Sequence, residues 1–269
     1  MGNPIAHSKS PRIHSLFAKQ TDQNIEYTAI LVDVGGLAQA VGNFDAAGGK
    51  GLNITVPFKQ EAWDLVDERT PRAERAGAVN TITFDQHRMS GDNTDGVGLV
   101  TDLVDIHGIA LRERRILLMG AGGAARGVLA PLLEHQPAGV VIGNRTPDRA
   151  VELAGAFSDL GAVSGSGYPS LEGQQFDIII NATAASLQGE LPPLPDGVFS
   201  AGGCCYDMMY GAEPTPFMRW AQAHGATNIL DGLGMLVEQA AESFFIWRGV
   251  RPRTAEVLAT LRDELQPGE

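Results

Sequence analysis

The sequence predicts an α/β protein of two domains, and three observations carry that prediction. Strand-like apolar runs alternate with helix-spaced segments along the chain, as α/β architecture requires. The run Gly120-Ala121-Gly122-Gly123-Ala124-Ala125-Arg126 directly follows the apolar stretch Ile116 to Met119 and leads into a helix-spaced segment. Such a turn lets bare backbone approach a pyrophosphate, while the helix N-terminus offers free N–H groups and a partial positive charge. Finally, 269 residues of which 43% are hydrophobic are enough for two compact units.

Charge and cysteine usage narrow the function classes. Twenty Lys and Arg stand against 32 Asp and Glu, and the net charge of −12 argues against a nucleic-acid partner or an anionic membrane surface. An anionic ligand would therefore need a local basic or N–H-lined pocket. The two cysteines, Cys204 and Cys205, are adjacent. Adjacent cysteines rarely satisfy disulfide geometry, so neither a disulfide framework nor a cysteine-built metal site is expected. No charged leader precedes an apolar core, and the apolar runs are too short or too interrupted to span a bilayer, so a soluble cytoplasmic protein is expected.

Taken in order, Asn3 to Pro11 is turn-rich, and Ser10-Pro11 reads as a helix start with serine as the N-cap and proline in the first turn. Ser8 and Ser10, two hydroxyls beside a helix N-terminus, are equally suited to a carboxylate. Glu26 to Val32 is expected as a strand, Leu37 to Ala46 as a helix and Gly51 to Pro57 as a strand ending at proline. Alternation along that last strand sends Ile54 and Val56 to one face and Asn53 and Thr55 to the other. Lys59 opens the next helical stretch, which continues through Trp63 and Val66. Its position at the end of that strand sets it near the two polar side chains. Ala76 to Thr83 is read as a strand with Asn80 near its start. Met89 to Gly96 is read as a polar loop before a helix from about Val97 to Ile106, which either Asn93 or Asp95 caps.

Past the glycine turn, Ala124 to Leu133 has helical spacing and Ala138 to Gly143 reads as a buried strand. It ends at Asn144-Arg145-Thr146-Pro147-Asp148-Arg149, where a unit for NAD places an acidic residue about 20 residues beyond the glycines to hold the ribose hydroxyls. Here Asn144, Arg145, Thr146 and Arg149 supply hydroxyl and guanidinium donors instead, which suit a 2′-phosphate. Further strands are expected at Phe176 to Asn181 and Gly203 to Tyr206. Their polar ends, Asn181-Ala182-Thr183 and Asp207 to Tyr210, fall at the carboxyl edge where open α/β sheets bind ligands. Gly189 to Pro195 is expected as a surface loop. Asp231 caps a long apolar helix through Trp247, with Gln239 one polar residue on the stripe it shares with Met235, and a last helix spans Thr254 to Leu265.

The motifs Gly2 to Pro11, Asn53 to Lys59, Gly77 to Thr81, Gly91 to Gly96, Gly120 to Arg126, Asn144 to Arg149, Asn181 to Thr183, Tyr206 to Tyr210 and Asp231 to Ala241 together resemble the shikimate dehydrogenases. The match covers nearly the whole chain in the family's order. Its Ser-Lys-Ser-Pro, Asn-x-Thr-x-Pro-x-Lys and Gly-Asp-Asn-x-Asp-Gly elements do not belong to Rossmann enzymes in general.

The resemblance implies a mainly parallel α/β substrate domain, residues 1–96 plus 233–269, a Rossmann domain for NADP over residues 97–232, and an active site in the cleft between them. It implies reversible NADPH-dependent reduction of 3-dehydroshikimate to shikimate, in the pathway to aromatic amino acids. Carried across the motifs, Ser8, Ser10 and Tyr210 hold the substrate carboxylate. Asn53, Thr55, Asn80, Asp95 and Gln239 hold its ring hydroxyls, and Lys59 with Asp95 forms the catalytic pair. Gly120, Ala121, Gly122, Gly123, Ala124, Thr183, Met208 and Gly232 join Asn144, Arg145, Thr146 and Arg149 as cofactor contacts. No metal is expected, and the state is monomer or homodimer.

Two departures from the family pattern stand out. Members carry a short strand before the Gly-Asn-Pro turn, whereas this chain begins at Met1-Gly2, so the first strand is expected to be absent or cut short. Asn181-Ala182-Thr183 continues as Ala184-Ala185-Ser186, where the main enzyme group has serine or proline followed by glycine. The rival readings are a quinate/shikimate dehydrogenase with NAD or dual cofactor use and a non-catalytic ligand sensor on the same fold. The presence of both Lys59 and Asp95 speaks against the sensor.

Overall fold

The computed structural model describes residues 1–86, 88–183, 185 and 189–266. Its contacts divide the chain into one unit of Met1–Gly98 with Leu236–Thr260 and a second of Leu99–Met235 with Leu261–Glu269.

In the first unit, helix α1 (Ser10–Gln20) buries Ile13, His14, Phe17 and Ala18, a spacing that keeps one face inward. Ser10 is its first helical residue rather than the expected cap. Lys9 takes the cap position without a side-chain bond, and the Ser10 N–H donates to Ser8 Oγ at 3.3 Å. Helix α2 (Leu37–Ala46) falls where its periodicity puts it. The segment read as a strand from Glu26 to Val32 joins no ladder, and its recorded pairing is a parallel bridge between Gly2 and Leu31.

Strand β1 (Gly51–Asn53) is shorter than expected. The chain turns after it, with the Phe58 N–H donating to the Thr55 carbonyl at 3.0 Å. Ile54 is therefore buried while Val56, which strict alternation would put beside it, is 62% exposed. Helix α3 (Lys59–Leu65) follows, then strand β2 (Glu68–Arg69) and helix α4 (Pro71–Ala76). Thr70 caps α4 by accepting from the Ala73 N–H, and Gly77 closes it at φ +58°, a left-handed conformation that suits glycine. The expected strand from Ala76 is thus two elements, because the Pro71–Ala76 helix takes its first residue and strand β3 begins at Thr81 (Thr81–Asp85).

Strand β4 (Arg88–Asp92) lies where a polar loop was expected. Arg-Met-Ser-Gly-Asp has no β-branched residue to announce a strand, and its pairing with β3 imposes the conformation. The sheet runs β1-β3-β4-β2, antiparallel between β1 and β3 and between β3 and β4, parallel between β2 and β4. It is mixed rather than mainly parallel, since the tight link from β3 to β4 can only return antiparallel. Helix α5 (Asp95–Thr101) starts two residues before the expected Val97 and continues as a π-helical segment to Ile106.

The second unit is a six-stranded sheet whose ladders are all parallel. Its members are β5 (Arg115–Met119), β6 (Gly139–Asn144), β7 (Val163–Gly167), β8 (Phe176–Asn181), β9 (Phe199–Asp207) and β10 (Asn228–Asp231). The spatial order β7-β6-β5-β8-β9-β10 is that of dinucleotide-binding sheets, with a switch point between β5 and β8. Both faces are covered, so Ile116 and Leu118 enter one core while Leu117 and Met119 enter the other. The same alternation sends Cys204 and Cys205 to opposite cores, where both are free thiols. Helices α6 (Gly123–Glu134), α7 (Pro147–Ala156) and α8 (Pro216–Ala223) belong to this unit. Helix α9 (Leu233–Arg248) begins two residues past Asp231, whose Oδ1 accepts from the Leu233 N–H, and helix α10 (Ala255–Leu265) ends the described chain. Among the described residues no helix is long and apolar enough to cross a membrane.

An ion-pair network fastens the loop that leads from β4 into α5. Arg72 forks onto Asp92 at 2.6 and 2.7 Å and also reaches Glu242 at 3.0 Å, while Thr70 and the Asn93 N–H donate to Asp92 Oδ1. Burial alone would push the Asp92 carboxyl up, but the Arg72 fork and these neutral donors outweigh it and hold it below the usual carboxylate range. A depressed folded-state value contributes stability that is present above the unfolded value of about 4 and lost as pH falls through the folded one. Asp92→Asn should therefore lower stability at pH 7 by about 1–3 kcal/mol. Urea unfolding between pH 7 and pH 3 should also show a shallower acid loss in the variant, and an unchanged slope would place the acid sensitivity elsewhere.

Candidate active site

The end of β1, the start of α3, the link before β3 and the start of α5 each contribute one polar side chain to a single cluster in the first unit. Asn80 is its centre, although it precedes β3 rather than lying within a strand. Its backbone N–H donates to the Asp92 carbonyl at 3.0 Å and its carbonyl accepts from the Ile54 N–H at 2.8 Å, which fixes where the side chain starts. Its Oδ1 accepts from the Thr94 N–H and the Thr81 hydroxyl, each at 2.9 Å. Its Nδ2 faces Thr94 Oγ1 and Asp95 Oδ1, each at 2.9 Å, and Gln239 Oε1 at 3.4 Å.

Asp95 is the first residue of α5, and its N–H donates to Asn93 Oδ1 at 3.1 Å, so of the two candidates for the capping role Asn93 takes it. That leaves the Asp95 carboxylate free to turn inward. Oδ1 receives Asn80, and Oδ2 receives Lys59 Nζ at 2.6 Å. The side chains of Lys59 and Asp95 are 25% and 10% exposed, so the ammonium is held against the carboxylate yet remains reachable. Lys59 is also fixed through its backbone, whose carbonyl accepts from the Val79 N–H at 2.8 Å.

Asn53 extends the cluster. Its Nδ2 donates toward the Asn80 carbonyl, Thr81 Oγ1 and Ser243 Oγ at 3.0 to 3.2 Å, and its Oδ1 accepts from the Tyr27 hydroxyl at 2.8 Å. Gln239 is half-buried, and its Nε2 donates to the Leu236 carbonyl at 2.8 Å, which turns its Oε1 toward Asn80 and Thr94. Thr55 sits in the turn after β1 and has no recorded side-chain bond into the cluster. Tyr27, Thr81, Thr94 and Ser243 are members the sequence reading did not name. Ser243 was findable, since it lies one helical turn beyond Gln239 and its hydroxyl donates back to the Gln239 carbonyl at 3.0 Å. Nothing in the sequence marks Tyr27, which comes from a segment with no regular structure.

The second unit carries the other predicted residues. Gly120 follows β5 at φ +102°, a value that favours glycine, and its N–H donates to the Gly143 carbonyl at 2.8 Å. A Cβ there would press on Thr183 and the Ala182 carbonyl at 3.2 to 3.3 Å, whereas at Gly122 and Gly123 it would meet nothing within 4 Å. The turn is thus packed at its base and open at its tip, and α6 starts at that tip without a side-chain cap. Ala121 and Ala124 flank those two glycines. Free N–H groups beside an open space suit a pyrophosphate.

Asn144 donates to the Thr146 carbonyl at 2.9 Å, shaping the turn after β6. Arg145, Thr146 and Arg149 are exposed on it, and among the described residues neither arginine has a carboxylate partner. At the ends of β8 and β9, Asn181 donates to Asp207 Oδ1 at 3.1 Å, and Asp207 also accepts from the Met209 N–H and from the Thr215 hydroxyl at 2.6 Å. Asn181 Oδ1 in turn accepts from the Thr183 N–H and hydroxyl. Met208 and Gly232 are in close contact, with a Gly232 Cβ falling 2.2 Å from the Met208 carbonyl oxygen. Tyr210 is half-buried, and burial followed by the nearby Asp231 charge pushes its hydroxyl up. Ala184 and Ser186, the divergent positions after Thr183, lie outside the described residues.

A parallel sheet with a glycine turn at its switch point, on a chain that also holds a lysine–aspartate pair in a buried amide network, defines a dinucleotide-dependent enzyme of two α/β units. The chain belongs to the shikimate dehydrogenase family. Residues 1–82 match the model of the shikimate dehydrogenase substrate binding domain, residues 102–188 that of shikimate/quinate 5-dehydrogenase, and residues 232–262 that of the shikimate 5'-dehydrogenase C-terminal domain. The chain is 59% identical to the NADP(+) shikimate dehydrogenase of Nitrosococcus oceani over 98% of its own length and 94% of the relative's. Identity to the enzyme of the same name from Alkalilimnicola ehrlichii is 61%, over 98% and 97%. A crystal structure of shikimate 5-dehydrogenase from Thermus thermophilus in complex with NADP(H) and shikimate is similar at a TM-score of 0.87, with 32% identity and coverage of 98% and 97%.

Asn80→Ala should be costly in proportion to what it strands. The Thr94 N–H and Asp95 Oδ1 are buried and would each lose a partner, so unfolding free energy should fall by about 1–3 kcal/mol. Retention of wild-type stability in a urea titration would mean that the network repacks around the gap.

Proposed function

We propose that the chain catalyses the reversible NADP-dependent reduction of 3-dehydroshikimate to shikimate, a step on the way to aromatic amino acids. The observation that carries this reading is the Lys59 Nζ to Asp95 Oδ2 contact of 2.6 Å inside the Asn53, Asn80 and Gln239 network. An NADP-dependent oxidoreductase of this family needs little more than positioning and one proton transfer, since bound NADPH supplies the hydride. In this reading the first unit binds the substrate and the second binds NADP.

Lys59 faces the ketone oxygen, stabilises the negative charge that develops there and donates the proton, and in the oxidative direction it takes the proton from the hydroxyl. Asp95 fixes the ammonium through Oδ2 while its Oδ1 is held by Asn80, so neither partner swings away from the reacting oxygen. Asn53, Thr55, Asn80, Asp95 and Gln239 are assigned to the ring hydroxyls, and Ser8, Ser10 and Tyr210 to the carboxylate.

On the cofactor side, Gly120 to Ala124 with the start of α6 hold the pyrophosphate, Asn144, Arg145, Thr146 and Arg149 take the 2′-phosphate, and Thr183, Met208 and Gly232 contact the remainder. Exposed arginines at the end of β6, with no carboxylate partner among the described residues, support this assignment because a guanidinium fork matches a phosphate. A cytoplasmic protein with no nucleic-acid or membrane partner, acting as a monomer or homodimer, completes the proposal. Two free, buried cysteines support the reducing compartment in this reading.

Lys59→Ala should lower turnover by about two orders of magnitude or more, the scale of losing an acid–base group, with a smaller effect on cofactor affinity. Near wild-type turnover would remove the lysine from the mechanism. For the arginines, combining Arg145→Ala with Arg149→Ala should weaken NADP binding far more than NAD binding, and equal weakening of both would refute the 2′-phosphate assignment. A spectrophotometric comparison of shikimate with NADP against quinate with NAD tests substrate and cofactor together. Faster oxidation of quinate with NAD would favour the quinate/shikimate branch of the family.

A further inference from the structure

The Tyr27 hydroxyl occupies a place that neither the motifs nor the proposed mechanism uses. It donates to Asn53 Oδ1 at 2.8 Å, and Ser10 lies near enough to draw the phenol's titration down. Tyr27 is thereby bonded to an asparagine assigned to a ring hydroxyl. Its ring lies flat on His14, with centroids 4.2 Å apart and planes 7° from parallel, and Trp247 packs at 6.4 Å.

His14 makes a firm plate for that ring. It is fully buried, and burial drives its imidazole down to about 3, with the Asn53 amide nearby opposing the shift, so it stays neutral. Neither ring nitrogen meets hydrogen-bond geometry, and Phe17 and Phe244 close in around it. The imidazole therefore works through its faces. Burial likewise pushes the Tyr27 phenol up, against the pull of Ser10, so Tyr27 remains a hydroxyl able to donate.

A carboxamide presents a donor on one side and an acceptor on the other, and its neighbours decide which way it faces. Thr81 and Ser243 are hydroxyls that can donate or accept, so they would tolerate either face of Asn53. The Asn80 carbonyl only accepts, which asks for Nδ2 on that side. Tyr27 supplies the matching donor on the other. We propose that Tyr27 is a positioning residue for the substrate: its hydroxyl, held by the stack on His14, fixes the amide orientation of Asn53. The proposal rests on the functional reading above, in which Asn53 faces the substrate.

The test is steady-state kinetics of Tyr27→Phe with shikimate and NADP. Loss of one neutral hydrogen bond should raise KM for shikimate about five- to ten-fold. The turnover number should change by less than about three-fold and KM for NADP should not move, because no acid–base group or cofactor contact is touched. In an Asn53→Ala background the same change should have no further effect on KM, since a residue that acts through Asn53 has nothing left to orient. A wild-type KM for shikimate in Tyr27→Phe overturns the proposal, and so does an equal rise in the Asn53→Ala background. Should Tyr27→Phe fail to fold, 3-fluorotyrosine at position 27 keeps the shape and makes the phenol a stronger donor. It must shift KM for shikimate without shifting KM for NADP, and an unchanged value overturns the proposal. If the wild-type protein does not oxidise shikimate with NADP, the failure belongs to the functional reading and appears before any variant is compared.

Discussion

The first unit is built around the side chain of Asn80, a buried carboxamide that cannot leave its donors and acceptor unused. Inside a protein such a group costs free energy unless each polar atom finds a partner, so its surroundings are constrained to supply them. Beside the adjacent Thr81 they come from distant places in sequence: Thr94 from the loop after β4, Asp95 from the start of α5, and Gln239 from α9. Because one Asn80 N–H goes to Asp95 Oδ1, the other carboxylate oxygen is directed at Lys59. The geometry of the lysine–aspartate pair is thus a consequence of satisfying a neutral amide. The Arg72 fork on Asp92 serves the same end from outside, holding the loop that carries Asp95 in register with β3.

In the proposed reading the second unit answers a different need. A phosphate-bearing ligand needs donors without bulk, and backbone N–H groups at a helix start provide them where side chains would intrude. Gly120 is required by its conformation and by the closeness of Ala182 and Thr183, while Gly122 and Gly123 keep the tip clear. The rigid part lies beneath, in the Asn181 to Asp207 to Thr215 chain of hydrogen bonds that ties together the ends of β8, β9 and the loop before α8. Charge is then added locally by Arg145 and Arg149, on a protein whose net charge of −12 would otherwise repel a polyanion.

Much of this was legible in the sequence where local chemistry dominates. The long helices α2, α6 and α9 announce themselves through spacing, and β5 and β8 through continuous apolar runs bounded by glycine or polar residues. The glycine turn and the arginines at the end of β6 carry their meaning in residue type. Elements whose form comes from a partner were not legible: β4 has no strand-forming residues, β1 stops where the chain turns, and Glu26 to Val32 has a strand's composition without a neighbour to complete a ladder. Strand propensity reflects packing against neighbours more than the backbone's own preference, which is why these three segments misled.

The sequence by itself determined the alternating α/β architecture, the glycine turn, the basic loop that follows it, and the identity of Lys59, Asp95, Asn53, Asn80 and Gln239 as residues of interest. Each of these rests on a side-chain type or a period of a few residues, information that is contained within a short window. The tertiary structure decided which of them meet. It brought Lys59 and Asp95 to 2.6 Å across 36 positions, joined Asn80 to Gln239 across 159, added Ser243 one turn beyond Gln239, and introduced Tyr27, which no local pattern marks. The physical reason is that a buried polar group takes its partners from whatever the packed backbone brings within hydrogen-bond reach, and sequence separation has no part in that distance.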